Sequence, residues 1–117
     1  MVAVVRDNNV TVIELGAEYD ALNLPVIDAT MREMLSTADR AQPPRVVLDL
    51  TRTAYIGSTF VEILIRVWKR LRQRGGRMAL CGLNPFCAEV LHVTRLDQLW
   101  DNYADRAAAV AAVSEGA

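Results

Sequence analysis

A single α/β domain with a mixed sheet is the fold this sequence predicts, and three observations carry that expectation. The first is the apolar run Val46-Val47-Leu48-Asp49-Leu50, typical of a strand covered on both faces. The second is a helical pattern over Thr59–Arg74, where Val61, Leu64, Ile65, Trp68 and Leu71 recur at i, i+3, i+4, i+7 and i+10. The third is the stop Gly75-Gly76 followed by a further apolar strand, Arg77–Gly82. One glycine of that pair supplies the left-handed conformation needed past the last turn. Strand, crossover helix and strand make a right-handed βαβ unit with parallel strands.

The other elements fall in order around that unit. Val2–Val5 and Val10–Leu15 read as two strands, and Asp7-Asn8-Asn9 suits the hairpin between them because Asn tolerates positive φ. Gly16 to Leu22 reads as a connection. Asn23 is a candidate cap for a helix over Leu24–Thr37, with Pro25 in its first turn. Its apolar face would carry Leu24, Ile27, Met31, Met34 and Leu35. Ala41-Gln42-Pro43-Pro44 must break that helix. Asn84-Pro85 opens a shorter helix through Val93, with Asn as cap and Pro at the first position. Leu96–Tyr103 reads as a turn and a short edge strand, and the alanine-rich Asp105–Val113 as a terminal helix.

Composition narrows the function. The 117 residues suit one domain able to bury a core without disulfides or metals, so residues 1–117 are read as one unit. A formal net charge of −1 leaves no footprint for nucleic acid or an acidic membrane surface. The basic residues Arg66, Lys69, Arg70, Arg72 and Arg74 lack flanking aromatic platforms and read as a solvated helix face. No apolar run approaches the ~20 residues of a membrane span, and Arg6 and Asp7 interrupt the apolar start. Cys81 and Cys87 match neither a redox nor a zinc spacing and read as inert thiols in a reducing cytoplasm. His92 is the only histidine, so neither a metal site nor a Ser-His-Asp triad is expected. Asp49 and Glu62 read as structural carboxylates, and phosphate-loop and dinucleotide motifs are absent. No catalytic residue and no cofactor are expected.

The chemistry that stands out is the hydroxyl pair Ser58-Thr59 at a helix start, where the positive end of the macrodipole favours anionic groups. Thr59 and Glu62 fit the T-x-x-E capping box. Thr59 also fits a phosphoacceptor, and the two roles are compatible. Phosphorylation there would add nearly two negative charges to a surface patch without melting the helix.

Val46–Leu50, Tyr55-Ile56-Gly57-Ser58-Thr59, Arg74-Gly75-Gly76-Arg77-Met78-Ala79-Leu80 and Leu91-x-x-Thr94-x-Leu96-Asp97 together resemble the STAS domain, a family that includes bacterial anti-sigma factor antagonists. The resemblance implies a four- or five-stranded mixed sheet flanked by helices, and a part in partner switching. In such systems the unphosphorylated antagonist binds an anti-sigma factor that is also a serine/threonine kinase, which releases the sigma factor. Phosphorylation by that kinase breaks the complex and a phosphatase restores it. The family pattern is Asp-Ser-Ser/Thr-Gly, which laid onto this chain makes Thr59 the phosphoacceptor and Ser58 the hydroxyl before it.

Three positions depart from the family. Gly57 stands where the pattern has Asp, Phe60 where it has Gly, and Arg95 where a Gly is usual. The implied contact patch is Tyr55, Gly57, Ser58, Thr59 and Phe60, although Phe60 could equally tuck into the core. Three readings follow: a phospho-switched antagonist, a STAS adaptor without phosphoregulation, and a small ligand-binding protein or enzyme on the same scaffold.

Overall fold

The computed structural model describes residues 2–16, 18–19 and 24–115. Its strands are β1 (Ala3–Asp7), β2 (Val10–Glu14), β3 (Glu18–Tyr19), β4 (Arg45–Asp49), β5 (Tyr55–Ile56), β6 (Arg77–Cys81) and β7 (Asp101–Tyr103). Its helices are α1 (Leu24–Arg40), α2 (Ser58–Gln73), α3 (Pro85–Val93) and α4 (Arg106–Glu115), with a 3-10 turn at Leu96–Gln98. The main sheet has the order β1-β2-β4-β6-β7. β1 is antiparallel to β2, and every other neighbouring pair is parallel, so the sheet is mixed and five-stranded.

Alternation along the central strands sorts the core into two layers. Val46, Leu48, Met78 and Leu80 point to one face and pack with residues of α1, α2 and α3. Val47, Ala79 and Cys81 point to the other and meet Ala109, Val110 and Val113 of α4. Both faces are therefore covered, which is why these strands read as unbroken apolar runs. The two cysteines fall into different layers, both free and buried. Burial pushes the Cys81 thiol up to about 12 and raises that of Cys87, which leaves both protonated and unreactive.

The ends of the elements have visible causes. Asn8 takes φ 58° in the β1–β2 hairpin. Asn84 caps α3, its side-chain oxygen accepting from the Cys87 amide at 2.8 Å. Arg95, just past the end of α3, holds φ 61°, and its amide donates to the His92 carbonyl at 3.0 Å. That is the left-handed position which glycine fills at no steric cost. Arg95→Gly is accordingly expected to stabilise the fold by about 0.5–1 kcal/mol, read as a higher urea midpoint at unchanged slope.

Three sequence expectations are corrected, and one falls outside the described residues. Residues Glu18–Tyr19, read as connection, pair in parallel with Tyr55–Ile56 in a second, two-stranded sheet. Two-residue strands carry too little pattern to show in the sequence. The first helix runs to Arg40 rather than Thr37, because only the proline pair Pro43-Pro44 forces it to end. The proposed cap Asn23 lies outside the described residues. On α2 the buried stripe is Phe60, Val61, Ile63, Leu64, Val67 and Leu71, whereas Ile65 and Trp68 sit at its margin. This helix packs on the sheet and on α1 at once, so its apolar arc is wide. Periodicity alone cannot say which side chains lie at the centre of so wide an arc.

Candidate functional site

The start of α2 presents the hydroxyl pair, and its geometry differs from a capping box. Gly57 is the residue before the helix, extended at φ −102° and ψ 177°, and as a glycine it has no side chain to cap the first turn. The first helical hydrogen bond runs from the Val61 amide to the Gly57 carbonyl at 3.1 Å. Ser58 and Thr59 are thus the first and second residues inside the helix, so Thr59 is not the cap, and Glu62 stands two positions past the one from which a capping box reaches back. Ser58 is exposed and Thr59 half-buried. Thr59 lines a cavity of about 180 Å³ between α1 and α2, with Ile27, Asp28, Met31, Glu62, Ile63 and Arg66. Phe60 is fully buried, so the expectation that it contributes to the contact patch is corrected: its ring belongs to the core.

The loop ahead of the hydroxyls is tied down on several sides. Asp49 accepts from the Thr51 amide at 2.9 Å and from its hydroxyl at 2.5 Å. The Thr53 hydroxyl donates to the Gly16 carbonyl at 2.7 Å. Asn84 donates to the carbonyls of Ala54, at 3.0 Å, and Thr53, at 3.4 Å. Tyr55 then emerges 40 % exposed and stacks on Phe86 of α3, itself 48 % exposed, at 5.2 Å between ring centroids. A stacked aromatic pair left open to solvent beside a helix start has the character of a protein-contact surface. Tyr55, Gly57, Ser58 and Thr59 lie in succession on this side of the molecule, and Phe86 joins them.

Two participants were missed by sequence reasoning. Phe86 follows the Pro85 of the first turn of α3, and its apolarity alone does not say that it faces outward. Arg106, the first residue of α4, binds Asp49 through Nε at 3.0 Å and Nη2 at 2.8 Å, and also pairs with Glu14. The one available signal was an acidic residue closing a buried strand, which demands a cation from elsewhere. Burial by itself would raise the Asp49 pKa. The Thr51 hydroxyl and amide and the Arg106 guanidinium overcome that and hold it below the ordinary carboxylate value.

A carboxylate with a lowered pKa contributes stability above its unfolded value of about 3.9, and that contribution is lost as pH falls through the lowered folded value. Asp49→Asn is expected to cost about 1–3 kcal/mol at neutral pH. It should also flatten the loss of stability below about pH 4. Urea unfolding of both proteins between neutral and acid pH measures this, and parallel pH profiles would refute it.

The remaining candidates are accounted for locally. Asp49 is engaged by Thr51 and Arg106, while Glu62 is exposed on α2, and neither forms an acid–base pair with the other. His92 is exposed and joins Asp97 through Nδ1 at 3.1 Å; that hydrogen bond and the charges of Asp97 and Glu89 raise its pKa. The basic stripe of α2 is partly engaged. Arg70 pairs with Asp39 at 2.7 Å, and Arg74 reaches the Ala38 carbonyl at 2.6 Å and the Gln42 side chain at 3.0 Å. Among the described residues no cluster of three or more His, Cys, Asp or Glu could hold a metal, and no helix is long and apolar enough to cross a membrane.

Comparison with known proteins agrees with this architecture. The family model described as Mlab, STAS domain matches residues 2–101. BtrV of Bordetella bronchiseptica, named as an anti-sigma factor antagonist, is 36 % identical over 98 residues, which cover 84 % of this chain and 81 % of that protein. An anti-sigma F factor antagonist from Paenibacillus polymyxa is 26 % identical over 94 residues, 80 % of this chain and 78 % of the relative. The solved structure of an anti-sigma-factor antagonist (STAS) domain protein from Planctomyces limnophilus superimposes with a TM-score of 0.85 at 33 % identity, covering 96 % of each chain.

Proposed function

The chain belongs to the STAS domain family, and from that premise we propose that it is an anti-sigma factor antagonist. It acts by binding an anti-sigma factor rather than by catalysis. The partner is a serine/threonine kinase as well as an anti-sigma factor, and it phosphorylates Thr59, the hydroxyl before it, Ser58, standing beside the acceptor. A phosphatase reverses the modification. The observation that carries this reading is that Ser58 and Thr59 sit inside the first turn of a helix whose N-cap residue is Gly57, so neither hydroxyl is the cap. The fold does not depend on their oxygens, and a phosphate there meets the positive end of α2. It also meets Asp28 and Glu62 in the adjoining cavity, with Arg66 as the nearby cation. Phosphorylation therefore alters the surface charge without removing a cap.

Because Thr59 is not the cap, Thr59→Ala is expected to change stability by less than about 0.5 kcal/mol. Thr59→Asp should be equally well folded, with its charge in the first turn of the helix. At the interface the two separate: Asp weakens partner binding at least tenfold, roughly 1.4 kcal/mol, while Ala binds as wild type. The partner is isolated by pull-down from native cells, mass spectrometry reads phosphate at Thr59 and Ser58, and calorimetry compares the variants.

Half-burial of Thr59 against α1, together with Gly57 in place of the family's Asp, favours a second reading. In it the chain is an adaptor that binds constitutively. Equal binding by wild type, Ala and Asp variants, with unmodified Thr59 and Ser58 in cells, would select it.

A further inference from the structure

Asn84 makes hydrogen bonds in two directions from one half-buried side chain. Its Oδ1 accepts from the Cys87 amide at 2.8 Å and closes the first turn of α3, the turn that carries Phe86. Its Nδ2 donates to the carbonyls of Ala54, at 3.0 Å, and Thr53, at 3.4 Å, in the segment that enters β5. The Ala54 carbonyl belongs to the peptide unit whose nitrogen is that of Tyr55. Because that unit is planar, fixing its oxygen fixes the direction in which Tyr55 leaves it. One amide thus holds Phe86 through one end and Tyr55 through the other. The two rings it places stack at 5.2 Å between centroids, with 20° between their planes.

We propose that Asn84 is a positioning residue of the partner-contact surface, setting Tyr55 against Phe86 as one preorganised anchor, a role that rests on the function proposed above. Capping alone does not call for an amide, since Asp and Ser cap a helix about as well as Asn. The difference lies on the donor side. A primary amide carries an acceptor and two N–H donors, a hydroxyl has one donor, and a carboxylate has none. Both N–H directions are used here, one toward each carbonyl.

Other support for Tyr55 is slight. β5 is two residues long and pairs with the equally short β3. The Tyr55 ring is 40 % exposed and that of Phe86 48 %, so burial in the core does not hold them. The Cys87 thiol, 3.9 Å from the Thr53 carbonyl, adds a weak second tie between the same two segments. Rings already held together enter an interface without the ordering cost of two independent exposed side chains.

Asn84→Asp isolates the donor side. The carboxylate keeps a capping oxygen and suits the helix start, but it turns acceptors toward two carbonyls. NMR of the full chain is expected to show nuclear Overhauser contacts between the Tyr55 and Phe86 rings in wild type. In the variant these should fall at least about threefold, with the helical amide contacts of α3 retained. Asn84→Ser, which keeps a capping oxygen without the amide, repeats the reading should the Asp variant not fold.

Binding of the anti-sigma factor recovered by pull-down should weaken at least about fivefold in Asn84→Asp and about tenfold in Phe86→Ala. In the Phe86→Ala background, Asn84→Asp should add less than about twofold, because its effect passes through the ring. A further loss there as large as in wild type would mark a plain charge effect and overturn the proposal. Unchanged ring contacts in both variants overturn it too, as does unchanged binding once the rings have separated. Separated rings in a chain whose wild type binds no anti-sigma factor would refute the function proposed above while upholding the geometry assigned to Asn84.

Discussion

Phe60→Ala is expected to cost about 3–5 kcal/mol, among the largest losses any single truncation of this chain should produce. The ring is fully buried, in the layer where α2 meets the sheet, α1 and α3. Removing it deletes the contacts of a large side chain and leaves a cavity that the surrounding strands and helices cannot close. The family resemblance alone left Phe60 equally open to a role on the partner surface. Those alternatives predict opposite results. A contact residue would lose binding and keep stability, while a core residue loses stability first. Urea unfolding followed by partner titration of the folded fraction separates them, and a loss under about 1 kcal/mol would return Phe60 to the surface.

Gly76→Ala is expected to be comparably damaging, at more than about 3 kcal/mol, for a different physical reason. A Cβ at this position would stand 2.0 Å from the Pro44 carbonyl oxygen and 2.9 Å from the Pro44 Cβ. The obstacle is backbone, so no rotamer change relieves it. The same Pro44 carbonyl accepts from the Arg77 amide at 3.0 Å, next to the register pair Arg45–Arg77 that starts the β4–β6 ladder. Pushing the segments apart would strain the central parallel pair at its first bond. The neighbouring glycine is an internal control. Gly75 holds φ +72° with open space around its missing Cβ, so Gly75→Ala should cost only about 1–2 kcal/mol of left-handed strain. Denaturant unfolding of both variants tests the contrast, and equal losses would mean that the close approach of Pro44 relaxes freely.

The βαβ unit, the hairpin, the Asn84 cap and the stop at Gly75 were legible in the order of residues, because each rests on neighbours along the chain. Period, caps and glycine placement are local properties, and local physics expresses them wherever the segment folds. The resemblance to STAS proteins likewise rested on contiguous motifs, and it brought Ser58 and Thr59 forward as the residues of interest. Packing between distant elements set everything that depends on which surfaces meet. It set Phe60 inside and Tyr55 outside, although both are aromatic residues flanking the same helix start. It moved Thr59 from the expected cap to the second helical position, because Gly57 took the extended conformation ahead of the helix. It joined Asp49 to Arg106 across 57 residues, a pairing with no sequence spacing to announce it. Burial, ion pairing and clefts arise between elements far apart in the chain, and their energies depend on distances that only the packed fold creates.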